Sequence, residues 1–219
     1  MMLRNPLVPS ALAVVLSAAA CDRPPDVPPR LAPLADAPAR AGVGLGDLAV
    51  GTTTLADVVM RYGAGHAALL AGDTYGYELR FVAGQLELSF MIDEELSRTL
   101  DLQDMKRSLR DLESFVFSRR EVGATPLASL RVEAGRSAVS TFYRGRLDGG
   151  PGLFDPVLDA IDVLGVPLAI EQIAVEGEGE AEDRRVTRAY VFAGARLTAV
   201  AVGDDPPHVT AIAIHRAPE

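Results

Sequence analysis

Two stretches of alternating apolar and polar residues, each turning on an Ala-Gly pair, restrict this chain more than any other feature. The first, YGYELRFVAGQLELSFMID, begins at Tyr75, and the second, TRAYVFAGARLTAVAVGDD, begins at Thr187. In the first, Tyr75, Tyr77, Leu79 and Phe81 fall on one face, and after the turn so do Leu86, Leu88, Phe90 and Ile92, with Glu78, Arg80, Glu87 and Ser89 on the other. A period of two that separates apolar from polar residues describes antiparallel strands with one buried and one solvated face. The turn at Ala193 and Gly194 repeats the turn at Ala83 and Gly84.

What flanks the hairpins is also repeated. TTTLADVVMRYG, before the first, has a threonine N-cap among Thr52, Thr53 and Thr54, an apolar side of Leu55, Val58, Val59 and Tyr62, and a terminating Gly63. FDPVLDAIDVLG, before the second, predicts a helix capped by Asp155, with Pro156 at its first position and Gly165 at its end. A third strand closes each unit, PLASLRVEA from Pro126 and PHVTAIAIHRA from Pro207. A variable loop is expected between each helix and its hairpin, and a short strand at residues 141–143. The first unit also carries an insertion near residues 101–117, where Leu102, Met105, Leu109, Leu112 and Val116 recur at helical spacing behind Asp101.

The expected fold is therefore α+β: two tandem helix-strand-strand-strand units forming one antiparallel sheet with the helices on one face. Thr54, Asp57, Val58 and Gly63 in the first unit spell T-x-x-D-V-x-x-x-x-G, and Asp159 and Gly165 occupy matching places in the second. This order resembles the β-lactamase inhibitory protein family and the small outer-membrane lipoproteins of the SmpA/OmlA (BamE) type. The resemblance implies binding to a protein through the sheet face or its loops.

Ahead of these units, residues 1–20 have one charge at Arg4, an apolar run over 7–16 and the small-residue end Ser17, Ala18, Ala19, Ala20. That is the pattern of a secretory signal peptide, too short to span a membrane. Two processing routes meet before Cys21, because Ala18 and Ala20 fit ordinary signal peptidase while SAAAC resembles a bacterial lipobox. On the second route Cys21 is the lipid attachment site, and multiple acyl chains anchor the protein to the inner or outer membrane of the cell envelope. Residues 21–45, rich in proline and alanine, read as a tether, and GVGLGD over 42–47 as a flexible entry to the fold. The units then occupy residues 46–138 and 139–219.

Composition narrows the function. A single cysteine precludes a disulfide framework, and a formal charge of −9 argues against nucleic acid, whose binding rests on clustered positive charge. The histidines are His66, His208 and His215, without a G-x-S-x-G nucleophile elbow or a zinc-ligand spacing, and the acidic run over 176–183 lacks the ligand order of an EF-hand. No catalytic residue, metal ligand or cofactor is expected. The expected function is a non-enzymatic, membrane-anchored module that binds an envelope protein, using Glu78, Arg80, Glu87, Arg131, Arg188 and His215. The helix at 101–117, near Lys106, Arg107 and Arg110, is a second candidate contact for an acidic partner or lipid headgroups. The alternative is a small-ligand binder or hydrolase with a pocket between the units, drawing on Asp57, Asp159 and one histidine.

Overall fold

The first hairpin is in register as the alternation requires. In the computed structural model, which describes residues 23–176 and 184–217, strand β5 (Tyr75–Phe81) pairs with β6 (Leu86–Met91). Tyr77 lies opposite Phe90, Leu79 opposite Leu88 and Phe81 opposite Leu86, so the apolar rows coincide and are buried. The turn takes positive φ at Val82, Ala83 and Gly84. The second hairpin, β9 (Arg185–Phe192) and β10 (Ala195–Val202), repeats the arrangement and turns through Gly194 at φ 77°.

These hairpins belong to one eight-stranded antiparallel sheet. Its remaining strands are β4 (His66–Ala71), β7 (Leu127–Glu133), β8 (Ala169–Glu176) and β11 (His208–His215), in the order β4-β5-β6-β7-β11-β10-β9-β8. Two four-stranded meanders thus meet where β7 pairs with β11. The chain is α+β with antiparallel sheets, and each meander has four strands where three were expected. The extra strands, β4 and β8, occupy the stretches read as variable loops. Neither alternates cleanly: HAALLA is apolar throughout after its histidine, and β8 slips register at a bulge between Gln172 and Ala174.

On the apolar face sits helix α2 (Leu55–Tyr62), whose start is a capping box. The Asp57 amide donates to Thr54 Oγ1 at 3.2 Å and the Thr54 amide donates to Asp57 Oδ2 at 3.0 Å, satisfying two amides that the helix leaves unpaired. The insertion is not one helix but a series: α3 (Glu94–Thr99), α4 (Leu102–Ser108), α5 (Leu112–Ser118) and α6 (Arg120–Gly123). Asp111 divides the apolar stripe, because its carboxylate accepts from the Ser114 amide and starts a new helix there. Met105, Leu112 and Val116 still reach the core, and Tyr77 Oη lies 2.8 Å from Ser108 Oγ, tying the insertion to the sheet. Helix α7 (Leu158–Leu164) begins later than the sequence suggested. Asp155 accepts instead from the Gly152 amide at 2.9 Å, and Pro156 bridges to His208. Residues 141–143 form no strand; Phe142 and Tyr143 are buried core side chains.

The tether expectation fails from Val27 onward. Val27 packs on the core, and Leu31, Leu34, Ala35, Ala39 and Leu45 are buried in it. Residues 32–49 build helix α1 (Ala32–Ala35) and a small sheet of β1 (Ala39–Arg40), β2 (Gly44–Leu45) and β3 (Leu48–Ala49). Proline at the first helical turn costs no hydrogen bond, so the prolines permit α1 while Leu31 and Leu34, three apart, reach inward. Gly44 is required here, since a Cβ would lie 1.9 Å from the Leu48 carbonyl oxygen. The glycines read as a flexible entry are a packed hairpin. The leader, Cys21 and most of the acidic run lie outside the described residues.

Candidate protein-binding face

The face of the sheet opposite the helices carries the charges that alternate with the core residues. On β5, Glu78 and Arg80 point there, on β6 Glu87, and on β7 Arg131 and Glu133, because these positions fall between the buried ones. Arg80 Nη2 lies 2.6 Å from Glu78 Oε1, and its Nε lies 3.3 Å from Glu87 Oε1. Arg131 stands directly opposite Glu87 across the β6 and β7 pair and bridges Glu133 at 3.0 Å. Opposite charges facing across neighbouring strands favour this register. The arginines are just under half exposed, Glu78 and Glu87 much less so, and each pair contributes at most about 1 kcal/mol. Their chief effect is a ladder of alternating sign across three strands, a fixed pattern of donors and acceptors.

Toward the other meander the same face changes character. His215, opposite Ser129, ends the polar region, with its Nδ1 3.1 Å from the Arg216 carbonyl oxygen. Beyond it lie Ala211, Ala213 and Ala189, then a separate ion pair in which Arg196 Nη2 reaches Glu171 Oε2 at 2.7 Å. Of the six side chains anticipated, Glu78, Arg80, Glu87 and Arg131 form one cluster and His215 shares their face. Arg188 does not. It is opposite Ala199 in the register that pairs Tyr190 with Leu197, on the side of the helices. Its parity with Tyr190 and Phe192 is visible in the sequence and places it there. Arg196 could have been found by the same alternation with Leu197, whereas Glu171 could be placed only once β8 was known.

The groups proposed for a catalytic or ligand pocket are occupied with structure. Asp57 is held by Thr54, whose amide and hydroxyl keep its carboxyl below the usual carboxylate range. Asp159 is exposed in the first turn of α7. His66 opens β4 at its exposed end, and His208 Nδ1 is 2.8 Å from the Phe154 carbonyl oxygen. Asp47, missed by the sequence reading, accepts from Tyr62 Oη at 2.5 Å and pairs with Arg61 at 3.0 Å, and burial with that hydrogen bond pushes the Tyr62 hydroxyl well up. This network pins α2 to the arm that precedes it. Among the described residues no group of three or more His, Asp, Glu or Cys side chains is placed to hold a metal ion. No described helix is long and apolar enough to cross a membrane. Comparison with protein-family models, with curated proteins and with solved structures finds no match to this chain.

Proposed function

We propose that this chain is a lipid-anchored cell-envelope protein, attached through Cys21, that binds another envelope protein through the open face of its sheet. It is built from two tandem units. The duplication is supported by the strand order, in which two meanders, each following a helix that ends at a positive-φ glycine, Gly63 or Gly165, meet through their last strands. The observation that carries the binding reading is the ladder of Glu78, Arg80, Glu87, Arg131 and Glu133 on the sheet face opposite the helices, with Arg80 and Glu133 its most exposed members. A rigid sheet bearing alternating charges selects a partner by electrostatic complementarity, which governs specificity and association rate more than raw affinity.

The test is in-cell crosslinking of the full chain, comparing the native sequence with Arg80→Glu, Glu87→Arg and Arg131→Glu combined, and with Cys21→Ser. The combined reversal is expected to abolish one dominant crosslinked species while the folded content stays unchanged by circular dichroism. A reversal that leaves every crosslink in place would remove the sheet face from consideration. Loss of membrane fractionation on Cys21→Ser is expected on the lipid-anchored reading, and its retention in the membrane fraction refutes that reading.

A further inference from the structure

The folded body starts far closer to Cys21 than a spacer would place it. Arg23 and Pro25 line a groove of about 570 Å³ together with Gly84, Gln85, Arg136 and Glu133, whose carboxylate is paired with Arg131. Beside it, Pro24 and Pro25 meet Ala138, Val139 and Phe142 in a second groove. Only Asp22 lies between Cys21 and Arg23, and two residue steps extend at most about 7 Å. On the lipoprotein reading above, on which this inference rests, acyl chains at Cys21 enter the bilayer next to this corner of the body.

The geometry points to the phosphate headgroup layer of the bilayer as the occupant of this corner, so that the protein lies against the membrane with the 82–85 turn and the 134–140 loop facing it. Arg23 and Arg136 supply donors for lipid phosphates, and Val139, 54% exposed, is placed to enter the boundary with the acyl chains. The corner is stiff. Gln85 clamps it, donating from Nε2 to the Ser140 carbonyl oxygen at 2.8 Å and accepting from the Phe142 amide at 2.6 Å, while Thr141 Oγ1 accepts from the Gly135 amide.

Charge also sets the tilt. Asp204 and Asp205, in the turn between β10 and β11, leave the same end of the sheet three strands away from β6, about 14 Å at the usual strand spacing. Strand β8 ends there too, at Glu176. An anionic membrane surface repels that side and attracts the arginine side. The body therefore leans on the corner of the first meander, with the second meander raised.

The test uses the full, lipidated chain in vesicles of phosphatidylethanolamine and phosphatidylglycerol, with one new cysteine at a time. Val139→Cys, Asp205→Cys and Asp73→Cys are each labelled with a small fluorophore, the Cys21 thiol being blocked by its lipid, and nitroxide headgroup lipids serve as quencher. Quenching is expected to be severalfold stronger at 139 than at 205 or at 73, which lies in the turn at the opposite end of the sheet. Arg23→Glu combined with Arg136→Glu is expected to weaken quenching at 139 while the protein still sediments with the vesicles. An anchored chain quenched equally at the three sites, or unaffected by the two reversals, overturns this orientation alone. A chain whose Cys21 accepts the thiol label and stays in the aqueous fraction overturns the lipoprotein reading, and the orientation with it.

Discussion

The two meanders present the same strand pattern and receive different cover. Over β4 to β7, helices α2 and α4 to α6 close the apolar face, and Tyr77, Leu79, Leu88 and Phe90 are fully buried. Over β9 to β11 the apolar face is buried too, with Leu197, Val209, Ile212 and Ile214 in the same core as the arm's Leu31 and Leu34, but of the residues of α7 only Ala160 is buried. Ile170, Ile173 and Val175 on the edge strand β8 stay exposed, as do Val166 and Leu168 just before it. Alternation therefore makes strands and a core in both halves, and what the second half lacks is cover over its edge strand β8. The insertion in the first unit lies between its third and fourth strands, and the corresponding place in the second is only the short turn between β10 and β11 that holds Asp204 and Asp205.

The sharpest way to break this comparison is to truncate one apolar residue in each half. Leu88→Ala, on a covered strand, is expected to cost about 2–5 kcal/mol in urea unfolding. Ile173→Ala, on the exposed edge, should stay within about 0.5 kcal/mol, and equal costs would mean that β8 is covered after all. Thr54→Ala removes the cap of α2 and is expected to cost about 1 kcal/mol, read as a lower urea midpoint with an unchanged slope. Tyr77→Phe deletes the hydroxyl that joins sheet to insertion, with an expected loss of about 1 kcal/mol. Ser108 keeps its own bond to the Met105 carbonyl oxygen, so a much larger loss would show that the insertion's hold depends on this contact.

A smaller effect reads the capping box of the first half by pH. Asp57 has its folded carboxyl lowered by Thr54, so its contribution is present above the ordinary value of 3.8 and fades as pH falls through the lowered one. Asp57→Asn should flatten that part of the acid unfolding curve, and an unchanged curve would deny the capping box any share in it. The corresponding Asp159 stands exposed in the first turn of α7, a helix whose start has no side-chain cap.

The parts that could be read from the sequence are those where one chemical pattern had one solution. The hairpins, the apolar set of α2 and the charges of the open face followed from period and parity alone. Strand β4 hid in a run with no alternation, and β8 in a bulge that shifts its period by one. The arm before β4 was misread for a different reason: prolines and alanines describe an extended spacer equally well until Leu31 and Leu34 are seen to share a side. In the candidate site, Glu78, Arg80, Glu87 and Arg131 were legible because neighbouring strands fix their register. Arg188 was misassigned because its parity with Tyr190 was not applied.

The amide of Gly42 donates to the Gly194 carbonyl oxygen at 2.9 Å, and a Cβ on Gly194 would lie 2.4 Å from that amide nitrogen. The arm is thus fastened to a turn made about 150 residues later, and its Ala39 amide to the Arg146 carbonyl oxygen. At synthesis rates of about 5–20 residues per second, the arm waits on the order of ten seconds for its seat. Over that interval the arm lacks this latch. The first residues of the body to be made are among the last to be secured, and a chain stopped short of the second hairpin has the arm's leucines but not the latch that holds them.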